Sequence, residues 1–293
     1  MAIANPYDER IWRGEMGTPG GRRVGPAPPS RPGGAVVCDD KDLPKPGETR
    51  GLGRGKVQCT SPKDALLTLS GVIARSVKML DNTIGELVRA RDAACRGEPM
   101  GWPNLGDLTA CWLKYRLGVC IDDLSAWTGG TFKSRTVAEV IRRLVRPRNL
   151  IASNAIAYEC DAKCDDPTTN AWVNVRDNAG ACIRTPERVI HLCPPFWAPE
   201  RARYREQVII HEAVHLTHCA GGVEDTATGV SIGSPECLSQ FVVSTNGKTL
   251  DPVKAGRCGF TTRCGRVSKE CHATAPGKKP TLPDWQPKRP VSR

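Results

Sequence analysis

Two of the five histidines in this 293-residue chain stand four apart, in His211-Glu-Ala-Val-His215. On a helix of 3.6 residues per turn, positions i and i+4 share a face, so both imidazoles can close on one cation, with Glu212 on the same side. Zinc held by two imidazole nitrogens and one carboxylate keeps a fourth position for water and brings that water's pKa to about 7. A neighbouring carboxylate then takes the proton as the oxygen attacks a peptide carbonyl. A chance HExxH in a chain of this composition has an expectation on the order of 0.004, so the pattern points to peptide-bond hydrolysis rather than to two ordinary histidines on a solvated helix. His211 and His215 are candidate metal ligands, Zn2+ is the candidate cofactor, and Glu212 is the candidate general base.

A third protein ligand is required, and Glu224, Asp225 and Glu236 follow downstream. Glu236 comes 21 residues after His215 at the start of the next predicted helix. That separation and context are similar to the glutamate-ligand zincins typified by thermolysin, and the same position suits a first-turn acid facing the helix dipole. Asp225 lies in Gly221-Gly-Val-Glu-Asp-Thr-Ala-Thr-Gly229, where a backbone reversal can return a carboxylate to the metal or an Asx turn can use it locally. Both stay open, with Glu236 ahead on helix spacing. His218 stands about 4.5 Å beyond His215 along the axis, too far to share the ion, and reads as a structural or supporting residue. His191 and His272 read as structural or surface residues, either of which could donate a hydrogen bond in the transition state.

These residues need elements to position them. Glu200 to Thr217 contains no Gly or Pro and predicts the metal helix, and Ser234-Pro235-Glu236 announces another helix to about Ser244 with a hydroxyl cap, a first-position proline and an acid. Ser61-Pro62-Lys63-Asp64 opens a long helix to about Ala94, and further helical patterns fall at Leu105 to Leu117 and Thr136 to Val145. Short runs at 150–158, 171–175 and 188–193, separated by Asp, Asn, Pro and Gly clusters, read as strands. The expected architecture is an α+β zincin-like domain over 61–249, helical over 61–149 and catalytic over 150–249. Residues 1–60, with 8 Pro and 11 Gly, form an irregular arm, and 250–293 a basic tail containing cysteines.

Composition narrows the setting. Net charge is +11, but residues 61–249 carry 22 basic and 21 acidic side chains, so the body is neutral and the excess lies at the ends, mostly in the tail. Nucleic-acid binding, which needs its charge on a folded surface, is not expected. No window reaches the roughly 18 apolar residues of a membrane span. Fourteen cysteines point to an oxidising destination, while the N-terminus lacks the basic start and apolar stretch of a cleavable signal. The expectation is a mature form, or an effector delivered by a specialised secretion machine, with an immunity or secretion partner to match.

Three blocks give the stretch from about Cys160 to Phe241 a family resemblance. Val189-Ile-His-Leu-Cys-Pro-Pro-Phe-Trp197, His211-Glu-Ala-Val-His-Leu-Thr217 and Gly222-Val-Glu-Asp-Thr-Ala-Thr-Gly229 are similar to the strand, metal helix and GTxDxxYG loop of the aspzincin metalloendopeptidases, the deuterolysin and peptidyl-Lys family. The resemblance implies that His211 and His215 bind zinc, that Glu212 is the base and that Asp225 is a ligand. Val223 replaces the loop threonine and Thr228 the tyrosine that stabilises the oxyanion in the family. Glu236, in Ser234-Pro-Glu-Cys-Leu-Ser-Gln-Phe241, aligns with a functional acid there. The expected function is zinc-dependent hydrolysis of protein or of peptidoglycan stem peptides. The rivals are a non-catalytic binding module of zincin fold and a charge-driven surface binder acting through the tail.

Overall fold

The computed structural model describes residues 57–58, 63–96, 98, 105–121, 125–128, 136–160, 163–183, 186–219 and 232–248. Glu224, Asp225 and His272, most of the N-terminal arm and the C-terminal tail lie outside the described residues. Strand β1 (Val57–Gln58) is followed by helices α1 (Lys63–Cys95), α2 (Asp107–Leu117), α3 (Ser125–Thr128) and α4 (Val137–Ala152). Then come β2 (Ala157–Glu159), β3 (Ala171–Trp172), β4 (Val189–Leu192), the short α5 (Pro194–Trp197), a 3-10 turn (Pro199–Tyr204), α6 (Arg205–His218) and α7 (Pro235–Thr245).

The long helix α1 buries Leu69, Val72, Leu80, Ile84 and Leu87 at three- and four-residue spacing, which is the stripe the sequence pattern predicts. That stripe meets α4 and α6, and α7 closes against α6 and α2. Glu86 satisfies the start of α2 by accepting from the Gly106 N–H and the Thr109 hydroxyl, and Gly118, in the left-handed region at φ 62°, ends it.

Helix α4 departs from expectation. Thr136 caps its start, accepting from the Glu139 N–H, and the buried Glu139 carboxylate is paired by Arg142 at 2.8 Å and Arg143 at 2.7 Å. The sequence reading stops this helix near Val145 and starts a strand at Leu150. Instead the helix runs through Pro147 to Ala152, and the strand is confined to Ala157–Glu159. Leu144, Val145, Leu150 and Ile151 continue the buried face past the proline. An internal proline withdraws one donor, and here burial of a further turn outweighs that loss. Pro147 has no N–H to give the Arg143 carbonyl four residues before it, and the imidazole Nε2 of His218 donates to that carbonyl at 3.0 Å.

The sheet has the order β1-β2-β4-β3, with β1, β2 and β4 parallel and β3 antiparallel to β4. Tyr158, Ile190, Leu192 and Ala171 are its buried side chains, in register across the strands. The opposite face carries Glu159, His191 and Trp172 in one row, where His191 Nδ1 bonds Glu159 and its ring stacks on Trp172 at 3.7 Å between centroids. Two disulfides join described residues. Cys164–Cys193 ties the segment after β2 to the end of β4, and Cys182–Cys219 ties the segment after β3 to the residue that ends α6. All nine described cysteines are disulfide-bonded.

Candidate metal centre

Helix α6 carries the candidate ligands, and its setting follows from its sequence. Ile209, Ile210, Ala213 and Val214 are fully buried against neighbouring helices and the sheet. Its entry is fixed by Arg205, whose guanidinium donates to the carbonyls of Phe196 and Trp197 at 2.7 Å each. Glu206 is held at 2.5 Å by Arg75 of α1. At the other end Cys219 turns the chain out of the helix in the left-handed region, φ 43°, with its sulfur bonded to Cys182. The turn that carries His211 and His215 is therefore clamped at both ends.

His211 and His215 face each other on this helix with Nε2 to Nε2 at 3.0 Å and ring centroids 4.8 Å apart. Two nitrogens bonded to one tetrahedral zinc stand about 3.3 Å apart, so the pair fits the cation with an adjustment of a few tenths of an ångström. Both rings, and the side chain of Glu212 between them in sequence, are buried. Buried imidazoles brought nitrogen to nitrogen suit a soft-to-borderline divalent ion.

Glu236 occupies a different side of His211. Ser234 caps α7, accepting from the Cys237 N–H at 3.4 Å, and Pro235 takes the first turn, as the sequence predicts. The Glu236 carboxylate then lies 3.1 Å from Nδ1 of His211, whereas the two imidazoles meet at Nε2. This differs from the expectation that Glu236 shares the cation with both rings. Among the described residues, no three His, Cys, Asp or Glu side chains are grouped around one metal position. The other candidate third ligand, Asp225, lies outside the described residues.

Polar residues that sequence reasoning passed over surround this carboxylate. Glu236 Oε1 accepts from Gln207 Nε2 at 3.2 Å and from Gln240 Nε2 at 2.6 Å, and Gln240 Oε1 accepts from Arg116 Nη1 at 2.6 Å. A signal was present in the spacing. Gln207 is four residues before His211 and Gln240 four after Glu236, so each extends its neighbour's helical column.

His218 is turned from the metal position toward α4, where it donates to Arg143. Burial, reinforced by the positive charges of Arg143 and Arg146, pushes its pKa down to about 3, so it is a neutral anchor. His191 belongs to the outer row on the sheet with Glu159 and Trp172.

Residues 123–235 match the sequence model of the aspzincin family, described as lysine-specific metallo-endopeptidase. The matched stretch is a little over a third of the chain and contains the HExxH helix and the Asp225 loop. The family resemblance drawn from the motifs is borne out over that stretch. No curated protein and no solved structure matches the chain.

Proposed function

We propose that this chain is a zinc-dependent peptidase in which His211 and His215 hold the cation through Nε2, Asp225 supplies the third protein ligand and Glu212 is the general base. The observation that carries this reading is the pair of buried Nε2 atoms meeting at 3.0 Å on a clamped helix. The match of residues 123–235 to a zinc endopeptidase family supports it independently. Asp225 is preferred to Glu236 as ligand because the Glu236 carboxylate is engaged on the Nδ1 side of His211.

Bound zinc supplies a Lewis acid that polarises the scissile carbonyl and acidifies the attacking water. Glu212 accepts that water's proton as its oxygen adds to the carbonyl carbon, then delivers the proton to the departing amine, so the C–N bond breaks with a neutral leaving group. The substrate class proposed is protein or the peptide stems of peptidoglycan. The lysine specificity in the family description is not part of the proposal.

The site of action proposed is an oxidising compartment, reached as a secreted effector or toxin. This is supported by the fully bonded state of the described cysteines. Among the described residues no helix is long and apolar enough to cross a membrane.

The deciding experiment is elemental analysis of the oxidised protein beside peptide-cleavage assays on casein and on peptidoglycan. Wild type is expected to hold about one zinc, Asp225→Ala to lose it, and Glu212→Gln to keep the zinc while losing roughly 10²- to 10⁴-fold in rate. No zinc in wild type sinks the proposal. Full biological effect in Glu212→Gln transfers the chain to the non-catalytic binding-module reading, which Thr228 in place of the family tyrosine favours.

A further inference from the structure

Two helical columns oppose each other beside the metal position. Helix α6 presents Gln207, His211 and His215 at four-residue intervals, and α7 presents Glu236 and Gln240 at the same interval. Beyond α7 stands Arg116 of α2, its guanidinium carbon 4.9 Å from the Trp112 ring centroid. All of these polar residues are buried, with Glu236 1% exposed, Gln240 0% and Arg116 4%. Two opposite charges at such depth each carry a large desolvation cost, and they persist only where hydrogen bonds and mutual attraction offset it.

The bonds run in one direction. Arg116 Nη1 donates to Gln240 Oε1, Gln240 Nε2 donates to Glu236 Oε1, and Gln207 Nε2 donates to the same oxygen. This order fixes the Gln240 amide, since its oxygen faces a guanidinium and its nitrogen a carboxylate. With Oε1 saturated by two amides, the other oxygen, Oε2, lies 3.1 Å from Nδ1 of His211, an ion-pair contact rather than an aligned hydrogen bond. A carboxylate beside Nδ1 is favourable only when that nitrogen carries the proton, and a neutral ring so protonated has its lone pair on Nε2. That is the nitrogen directed at His215.

We infer that Glu236 is a positioning residue rather than a ligand, and that Arg116, Gln240 and Gln207 form a buried relay that holds its carboxylate beside Nδ1 of His211, selecting the tautomer able to bind metal through Nε2. The inference deepens the zinc-peptidase reading and rests on it for its purpose, but the tautomer can be read without metal. Removal of such a supporting partner typically weakens metal binding by about 10- to 100-fold without abolishing it.

The test combines nitrogen-15 NMR of the histidine rings in the metal-free full-length protein at neutral pH with zinc titration against a competing chelator. Wild type should show His211 protonated at Nδ1. Glu236→Leu should move the proton toward Nε2 and weaken zinc by about 10- to 100-fold, and Arg116→Met and Gln240→Met should shift both readouts in the same direction by less. Glu236→Asp should restore much of the loss. Glu139→Gln, which disturbs a buried carboxylate elsewhere, should leave tautomer and zinc affinity unchanged.

The inference fails if Glu236→Leu and Arg116→Met leave the His211 tautomer as in wild type. It fails equally if Glu236→Leu removes zinc as completely as His215→Ala while Asp225→Ala retains it, which would make Glu236 a ligand. Should wild type take up no zinc at all, the peptidase reading falls alone, and the tautomer series still decides the relay.

Discussion

At the scale of single residues, the same side-chain type serves two ends on one helix. His211 and His215 face each other, while His218, three residues on, anchors α6 to α4. The last role has a pH signature. His218 in the folded chain has its pKa pushed down to about 3 from the ordinary 6.5 by burial and by Arg143 and Arg146, so between those values the unfolded chain takes up a proton that the folded chain refuses. Its contribution is therefore intact above about pH 6.5 and declines as pH falls toward 3. Chemical denaturation at pH 7 and pH 4.5 should show a fall in stability that is smaller in His218→Gln; equal falls would show that other groups carry the acid sensitivity. The HExxH pair was legible in sequence because i, i+4 geometry is a property of any helix. The side of His211 that Glu236 meets was not legible, because it depends on how α7 crosses α6. The supporting glutamines were half legible, in their spacing but not in their partner.

At the scale of elements, caps and punctuation were read correctly where they act locally. Ser234 caps α7 as read from the sequence, and Thr136, where the reading only began a helical pattern, caps α4. The helical pattern read from Thr136 to Val145 ended too early, because the helix continues through Pro147 on the burial of Leu150 and Ile151. The missing bond was then built upon, since His218 donates to the carbonyl that the proline leaves without its helical partner. This predicts coupling between two positions 71 apart in sequence. His218→Leu should cost about 1 kcal/mol by removing a part-buried hydrogen bond to the Arg143 carbonyl, and less in a Pro147→Ala background, where the restored N–H takes that carbonyl. A double-mutant cycle by urea denaturation measures the difference, and strict additivity would refute the link. The first turn before α6 was also expected to be α-helical and is instead a 3-10 turn, Pro199–Tyr204, beside which Arg205 closes the carbonyls of Phe196 and Trp197.

At the scale of the whole molecule, the α+β class was legible from the pattern of helical and strand-like runs and the cysteine chemistry from composition, and the strand order was not, because pairing partners lie far apart in sequence. Cys182–Cys219 fastens the end of α6 to the segment after β3 across 37 residues. Replacing both cysteines by serine should lower stability by about 2–4 kcal/mol, read from thermal unfolding, and should weaken zinc retention because the last turn of α6 is no longer held. Unchanged zinc affinity in that variant would confine the bridge to a stabilising role. The sheet has a consequence of another kind. Val57 lies opposite Tyr158, so β1 waits for a partner that emerges about a hundred residues later, with α1 to α4 in between. Closing so long a loop is entropically slow, and folds dominated by such distant contacts form in milliseconds to seconds rather than microseconds. β1 can therefore join β2 only after the intervening helices have been made, and its pairing is expected among the later steps of folding.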